Sequence, residues 1–267
     1  MKTHLATWTV LGTLALVAFT LRAPRYASDF DLATFSQLPA LVNGRVKPLD
    51  TVARTSLLML QGRQRVVKPE GIDATPAEWL LEMCYRPARA DTWQVIEVVH
   101  PDLLALLSLA PEQGGGKKRF SLGQLQPRLA ELDRQAKLAD GVESAVRTPF
   151  QNAVVQLRNG ILLYQRLQAC AMAPGNDAFL AELADLERNL PAALAAVKGA
   201  AAEAGAPTAP AAQAWLALSR SFLVMDEFAY LRLIPPADPA VDPMAWRTVG
   251  ATWNATLASG RTEADAQ

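Results

Sequence analysis

At 267 residues the chain can hold one large or two small domains, and 51% apolar with only 19% charged residues rules out wholesale disorder. Lys plus Arg and Asp plus Glu balance at 26 each. With no basic excess to neutralise phosphates, the composition argues against a nucleic-acid partner. β-Branched runs are short while Ala, Leu, Gln, Glu and Arg dominate, so a mostly α fold with a few short strands is expected.

The first element is an apolar run from Leu5 to Leu21, at the short end of a membrane span. A signal peptidase prefers small residues one and three positions before its cut. Cutting after Ala23 places Leu21 three back, and cutting after Ala27 places Arg25 there, so the run reads as an uncleaved single-pass anchor. Flanking charge leaves its orientation open, because Lys2 precedes the span and Arg22 and Arg25 follow it. Ser28 to Pro39 reads as a connector.

Next comes Val42-Asn-Gly-Arg-Val-Lys-Pro-Leu-Asp-Thr-Val-Ala-Arg54. Asn43-Gly44 predicts a turn, followed by a short extended piece and a helix opening at Pro48, where a missing N–H costs nothing. On that helix Lys47, Asp50 and Arg54 would share one face, and Leu49, Val52, Ala53 and Leu60 the other. An ordinary amphipathic helix with a solvated ion pair satisfies the same spacing.

Thr75-Pro-Ala-Glu78 is a capping box with proline at the first helical position, starting a helix that ends at Tyr85. Cys84 shares the apolar side of this helix with Trp79, Leu80 and Met83, which favours a buried free thiol; pairing with Cys170, the other cysteine, stays open. With no Cys-x-x-Cys pair, a thiolate zinc site, a thioredoxin-like motif and a covalent haem site are excluded. Trp93 to Val99 has the best strand composition. His100, just before Pro101, reads as a cap or turn residue ahead of a helix over 103–109, in preference to a haem ligand. Gly114-Gly-Gly-Lys-Lys-Arg119 lacks phosphate-loop spacing and reads as a hairpin tip.

Ser121-Leu-Gly-Gln124 is a second capping box, with Pro127 able to kink or restart the helix it opens. Across 140–171 lies the longest helical pattern, broken near Thr148-Pro149. In it Phe150, Val154, Leu157, Ile161 and Tyr164 recur at four-three spacing, a helix-packing seam. Asn176 caps a helix to Asn189, and Pro191 is expected to begin another. An Ala/Pro stretch at 204–211 reads as a linker. A helix over 212–224 follows, then an extended strap held by Pro235-Pro236, Asp238-Pro239 and Asp242-Pro243 and docked by Trp246 and Trp253. The expected organisation is anchor 1–27, helical domain 28–203, linker 204–211, and a C-terminal helix with its strap, 212–267.

"LPALVNGRVKPLDTVAR" behind a single anchor resembles the amino-terminal segment of CcsA-type (system II) cytochrome c synthases. "TPAEWLLEM", "KRFSLGQL", "LRNGILLYQRL" and "LRLIPPADP" with Trp246 follow in similar order. The resemblance covers most of 35–250; its first motif is fairly specific, the later ones loose. It implies a helical domain outside the bacterial inner membrane, in the periplasm, with the lipid bilayer, a multi-span haem-handling synthase subunit and apocytochrome c as partners. In those proteins haem chemistry belongs to the multi-span portion. This chain ends before one, implying a split gene or a truncated form, with no cofactor of its own.

No catalytic constellation emerges: two histidines permit no His-based triad or metal cluster, and no dinucleotide fingerprint is present. The features with more character than packing demands are Arg45, Lys47, Pro48, Asp50 and Arg54, and the strap residues Pro235, Pro236 and Trp246. The expected role is therefore an accessory component of cytochrome c maturation, acting by contact and not as an enzyme. A tethered scaffold subunit of a respiratory or envelope complex is the alternative.

Overall fold

The computed structural model describes residues 8, 10–14, 16, 30–115, 118–202 and 209–258. As expected, the fold is mostly helical. Eleven α-helices follow in chain order among the described residues of 30–258: α1 (Leu32–Gln37), α2 (Leu49–Gln61), α3 (Pro76–Tyr85), α4 (Pro87–Ala90), α5 (Pro101–Leu106), α6 (Leu122–Leu125), α7 (Leu129–Asp140), α8 (Pro149–Gln168), α9 (Phe179–Ala202), α10 (Pro210–Phe228) and α11 (Val249–Ala258). Three small antiparallel pairs lie between them: β1 (Pro39–Val42) with β2 (Arg45–Pro48), β3 (Val66–Val67) with β4 (Asp73–Ala74), and β5 (Ile96–Glu97) with β6 (Arg119–Phe120).

The capped helices begin where their caps place them. Thr75 accepts from the Glu78 amide, and Ser121 and Thr148 each form a reciprocal box with the glutamine three residues on. Glu78 does not complete its box; its carboxylate instead pairs with Lys68 at 2.5 Å. The seam of α8 is buried at Val154, Leu157, Ile161, Tyr164 and Leu167, and the helix packs against α2, α3, α5 and α7. Around it lies the larger core, with Trp79, Trp93, Leu57 and Phe120 fully enclosed.

A second, smaller core is built from α9, α10 and α11. Phe222 stacks on Trp253 at 4.4 Å and meets Phe179 edge-on at 5.4 Å. Helix α9 runs straight through Pro191, where a new helix was expected. The buried side chains Leu186, Leu190 and Ala193 continue across the proline, and their packing on α10 outweighs the missing donor. The change of core falls between Ala171 and Met172, so α9 groups with α10 and α11, not with the helices before it. Of the expected linker, 204–208 lie outside the described residues.

Of the expected anchor, residues 8, 10–14 and 16 are helical, with Trp8, Val10, Leu11, Leu14 and Leu16 exposed; the rest of Leu5–Leu21 lies outside the described residues. Among the described residues no helix is long and apolar enough to cross a membrane.

Candidate functional site

Asn43 and Gly44 both hold positive φ, +49° and +72°, the backbone of a tight two-residue hairpin loop. The register pairs Val42 with Arg45, Leu41 with Val46, Ala40 with Lys47 and Pro39 with Pro48. Strand β1 is buried at Ala40, Leu41 and Val42, while Arg45 and Val46 on β2 are exposed and Lys47 is half-buried. Pro48 therefore departs from expectation. Its ψ of 147° keeps it in the strand, and it caps α2 without being the first helical residue. Lys47 consequently sits on β2 and does not share a helix face with Asp50 and Arg54. Those two do pair across one helical turn, at 2.6 Å, and Arg54 also donates to Gln64 at 3.2 Å.

The strap comes back to this hairpin. Leu41 and Arg232 exchange both backbone hydrogen bonds, at 2.9 and 3.2 Å, so β1 lies between β2 and the strap. Two residues on, Ile234 makes the same exchange with Arg247. Pro235 is exposed and Pro236 half-buried. The turns beyond are closed by Asp238, which accepts from the Ala240 amide, and Asp242, which accepts from that of Met244, both at 2.9 Å. Trp246 is buried and donates its indole N–H to the Pro243 carbonyl at 3.2 Å.

A cleft of about 790 Å³ opens where the Asn43-Gly44 turn, the strap and the ends of α8, α10 and α11 converge. Arg166 fastens its floor, donating to the Phe228 and Ala229 carbonyls at 3.2 and 3.3 Å and lying over the Tyr230 ring. Asp226 accepts from the buried Thr248 hydroxyl at 2.6 Å. Arg232 and Arg247, fixed by their backbone bonds, are exposed along its rim beside Glu227. The structure thus joins Arg45, Lys47 and Pro48 to Pro235, Pro236 and Trp246 through β1, while Asp50 and Arg54 are occupied with each other on α2. Sequence reasoning missed Leu41, Arg166, Arg232 and Arg247. Polar–apolar alternation in Arg45-Val-Lys-Pro48, after the Asn43-Gly44 turn, carries the signal for β2; nothing local marks β1 or the arginines.

Elsewhere, burial pushes the Cys170 thiol up to about 11 and holds that of Cys84 well above its usual range, so both free thiols stay protonated at neutral pH. Cys170 is used structurally, accepting the Leu231 amide at 3.3 Å and so tying the strap to the end of α8. His100 caps α5, its ring edge-on to Phe150 at 5.8 Å. Among the described residues no three His, Cys, Asp or Glu side chains group as metal ligands. The arrangement is suited to presenting a polar surface on a buried strand.

The chain matches no protein-family model and no curated protein.

Proposed function

We propose that this chain is a contact component of cytochrome c maturation. In this reading residues 1–27 hold it at the bacterial inner membrane, its helical body faces the periplasm, and the hairpin–strap surface docks a multi-span haem-handling subunit. Apocytochrome c is the further partner. The docking role rests on one observation: the two stretches with the most distinctive sequence, Arg45–Pro48 and Leu231–Trp246, meet through the Leu41–Arg232 pairing. A buried strand that fixes an exposed, arginine-bearing edge on either side is a rigid platform for a partner of complementary charge. The maturation role is drawn from the resemblance of "GRVKPLDTVAR" and the motifs after it. The anchor is supported by the apolar run Leu5–Leu21 and by the exposed, helical Trp8, Val10, Leu11, Leu14 and Leu16.

The test is charge reversal of the platform in the full chain, Arg45→Glu with Arg232→Glu. Both residues are exposed, so the fold is retained while an attractive edge becomes repulsive. Recovery of the multi-span partner from solubilised membranes is expected to fall about tenfold or more, with a parallel loss of haem-stained cytochrome c. Unchanged recovery and normal holocytochrome would sink the proposal. Co-purification with respiratory subunits alongside normal cytochrome c would support the scaffold reading instead.

A further inference from the structure

We propose that Arg119 is the anchor of a carboxylate-binding site, in a cleft of about 380 Å³ beside the Gly114-Gly115 turn and separate from the hairpin–strap surface. Arg119 is only 7% exposed, yet its Nε and Nη2 have no hydrogen-bond partner. A guanidinium cannot shed its charge in a protein, so a buried one without an acceptor is costly. Nε and Nη2 share one edge of the group. Arg65 gives that same edge to both oxygens of Asp73, at 3.0 and 2.8 Å, and Arg134 gives it to both oxygens of Glu131, at 2.8 and 2.6 Å. Arg119 therefore keeps unused, beneath the side chains that now cover it, the fork that this chain elsewhere closes on a carboxylate. A ligand entering from the cleft must part that cover to reach it.

The obvious internal acceptor does not take it. Glu97 is the direct cross-strand neighbour of Arg119, but its Oε2 lies 3.7 Å from where a Cβ on Gly62 would stand, turned towards the end of α2. Lys68, on the cleft wall, is neutralised by Glu78. Of the charges acting on Arg119, Arg63 is opposed by Glu97, which leaves the guanidinium's own charge to be balanced, and a single carboxylate does so. Gly71, Gly114 and Gly115 line the cleft with bare backbone, and Thr92 and Gln94 add polar side chains. A small organic acid and the carboxyl terminus of a peptide share the required chemistry.

Thermal melting of the purified full chain decides the matter, using acetate, N-acetylglycine, N-acetylglycine amide, phosphate and chloride at constant ionic strength. Acetate or N-acetylglycine raises the midpoint saturably, and the amide and chloride do not. Tighter binding of acetate identifies a small acid, and tighter binding of N-acetylglycine a chain terminus. Arg119→Lys keeps the charge but loses the fork, and is expected to weaken binding about tenfold or more. Should that variant fold poorly, Glu97→Gln leaves the fork in place and removes the competing charge, so it is expected to tighten binding. The proposal is overturned by any of three results: no saturable response to either carboxylate, phosphate acting as strongly as they do, or an undiminished response in Arg119→Lys. A Glu97→Gln chain that is destabilised and blind to carboxylates would equally overturn it, by making Glu97 the true partner.

Discussion

Asp91 ends α4 half-buried, between the Gln168 amide, which donates to its Oδ1 at 2.7 Å, and the Tyr164 hydroxyl, which faces it without closing a well-formed hydrogen bond. Burial raises its carboxyl above the ordinary 3.8 and outweighs the opposing effect of those two groups. The native state therefore holds this proton more tightly than the unfolded chain does. This carboxyl's contribution to stability is fully present below 3.8, falls as pH climbs through the native value, and is gone above it. Asp91→Asn keeps an acceptor for Gln168 and removes the charge. Urea melts from about pH 3 to 7 should show the variant gaining on the wild type as pH rises, then levelling off; a constant gap would mean that burial does not raise this carboxyl. No pattern around Asp91 betrays this, because Gln168 reaches it from the far end of α8.

Whether an element could be read beforehand depends on where its partners lie. Helices α3, α6 and α8 are set by caps and seams within a few residues, so Thr75, Ser121 and Thr148 mark their starts in the sequence itself. The Asn43-Gly44 turn is legible for the same reason. The strand before it is not, because β1 is held on one side by Arg232, which no local pattern connects to it. Pro48 misleads in the other direction, since a residue suited to a helix start also suits the last position of an edge strand. Pro191 shows packing overriding propensity. The turn should nonetheless govern the whole ladder. Gly44→Val introduces a β-branched side chain at φ +72° with nothing nearby to clash, so its cost is purely backbone strain, about 1–2 kcal/mol. Amide exchange should quicken at Leu41 and Arg232 together, since each donates to the other's carbonyl. Quickening at Leu41 alone would show that the strap is held without the hairpin.

The two cores differ in size and in what ties them together. The larger wraps α8 with helices on several sides, whereas the smaller consists of α9, α10 and α11 packed in sequence around one aromatic cluster. Between α10 and α11 the approach is close enough that a Cβ on Gly250 would lie 2.5 Å from the Asp226 nitrogen, so this lobe has little slack to absorb a change. The strap spans both, with Leu231 buried in the larger core and Trp253 beyond it in the smaller. Phe222 is the point at which the smaller core can be opened alone, since its ring meets both Phe179 and Trp253. Phe222→Ala should cost about 3–5 kcal/mol. If the cores are separate cooperative units, exchange should accelerate a hundredfold or more, in order of magnitude, across α9, α10 and α11, while α2, α3 and α8 keep wild-type protection. The hairpin–strap platform straddles that division: β1 is rooted in the larger core through Ala40 and Val42, and Arg247 leads into α11. Loss of the smaller lobe should therefore free the Ile234–Arg247 pairing and leave Leu41–Arg232 protected, because Cys170 still holds the Leu231 amide from the end of α8. Uniform loss of protection through α8 would instead make the whole body a single unit, with the strap transmitting unfolding from one core to the other.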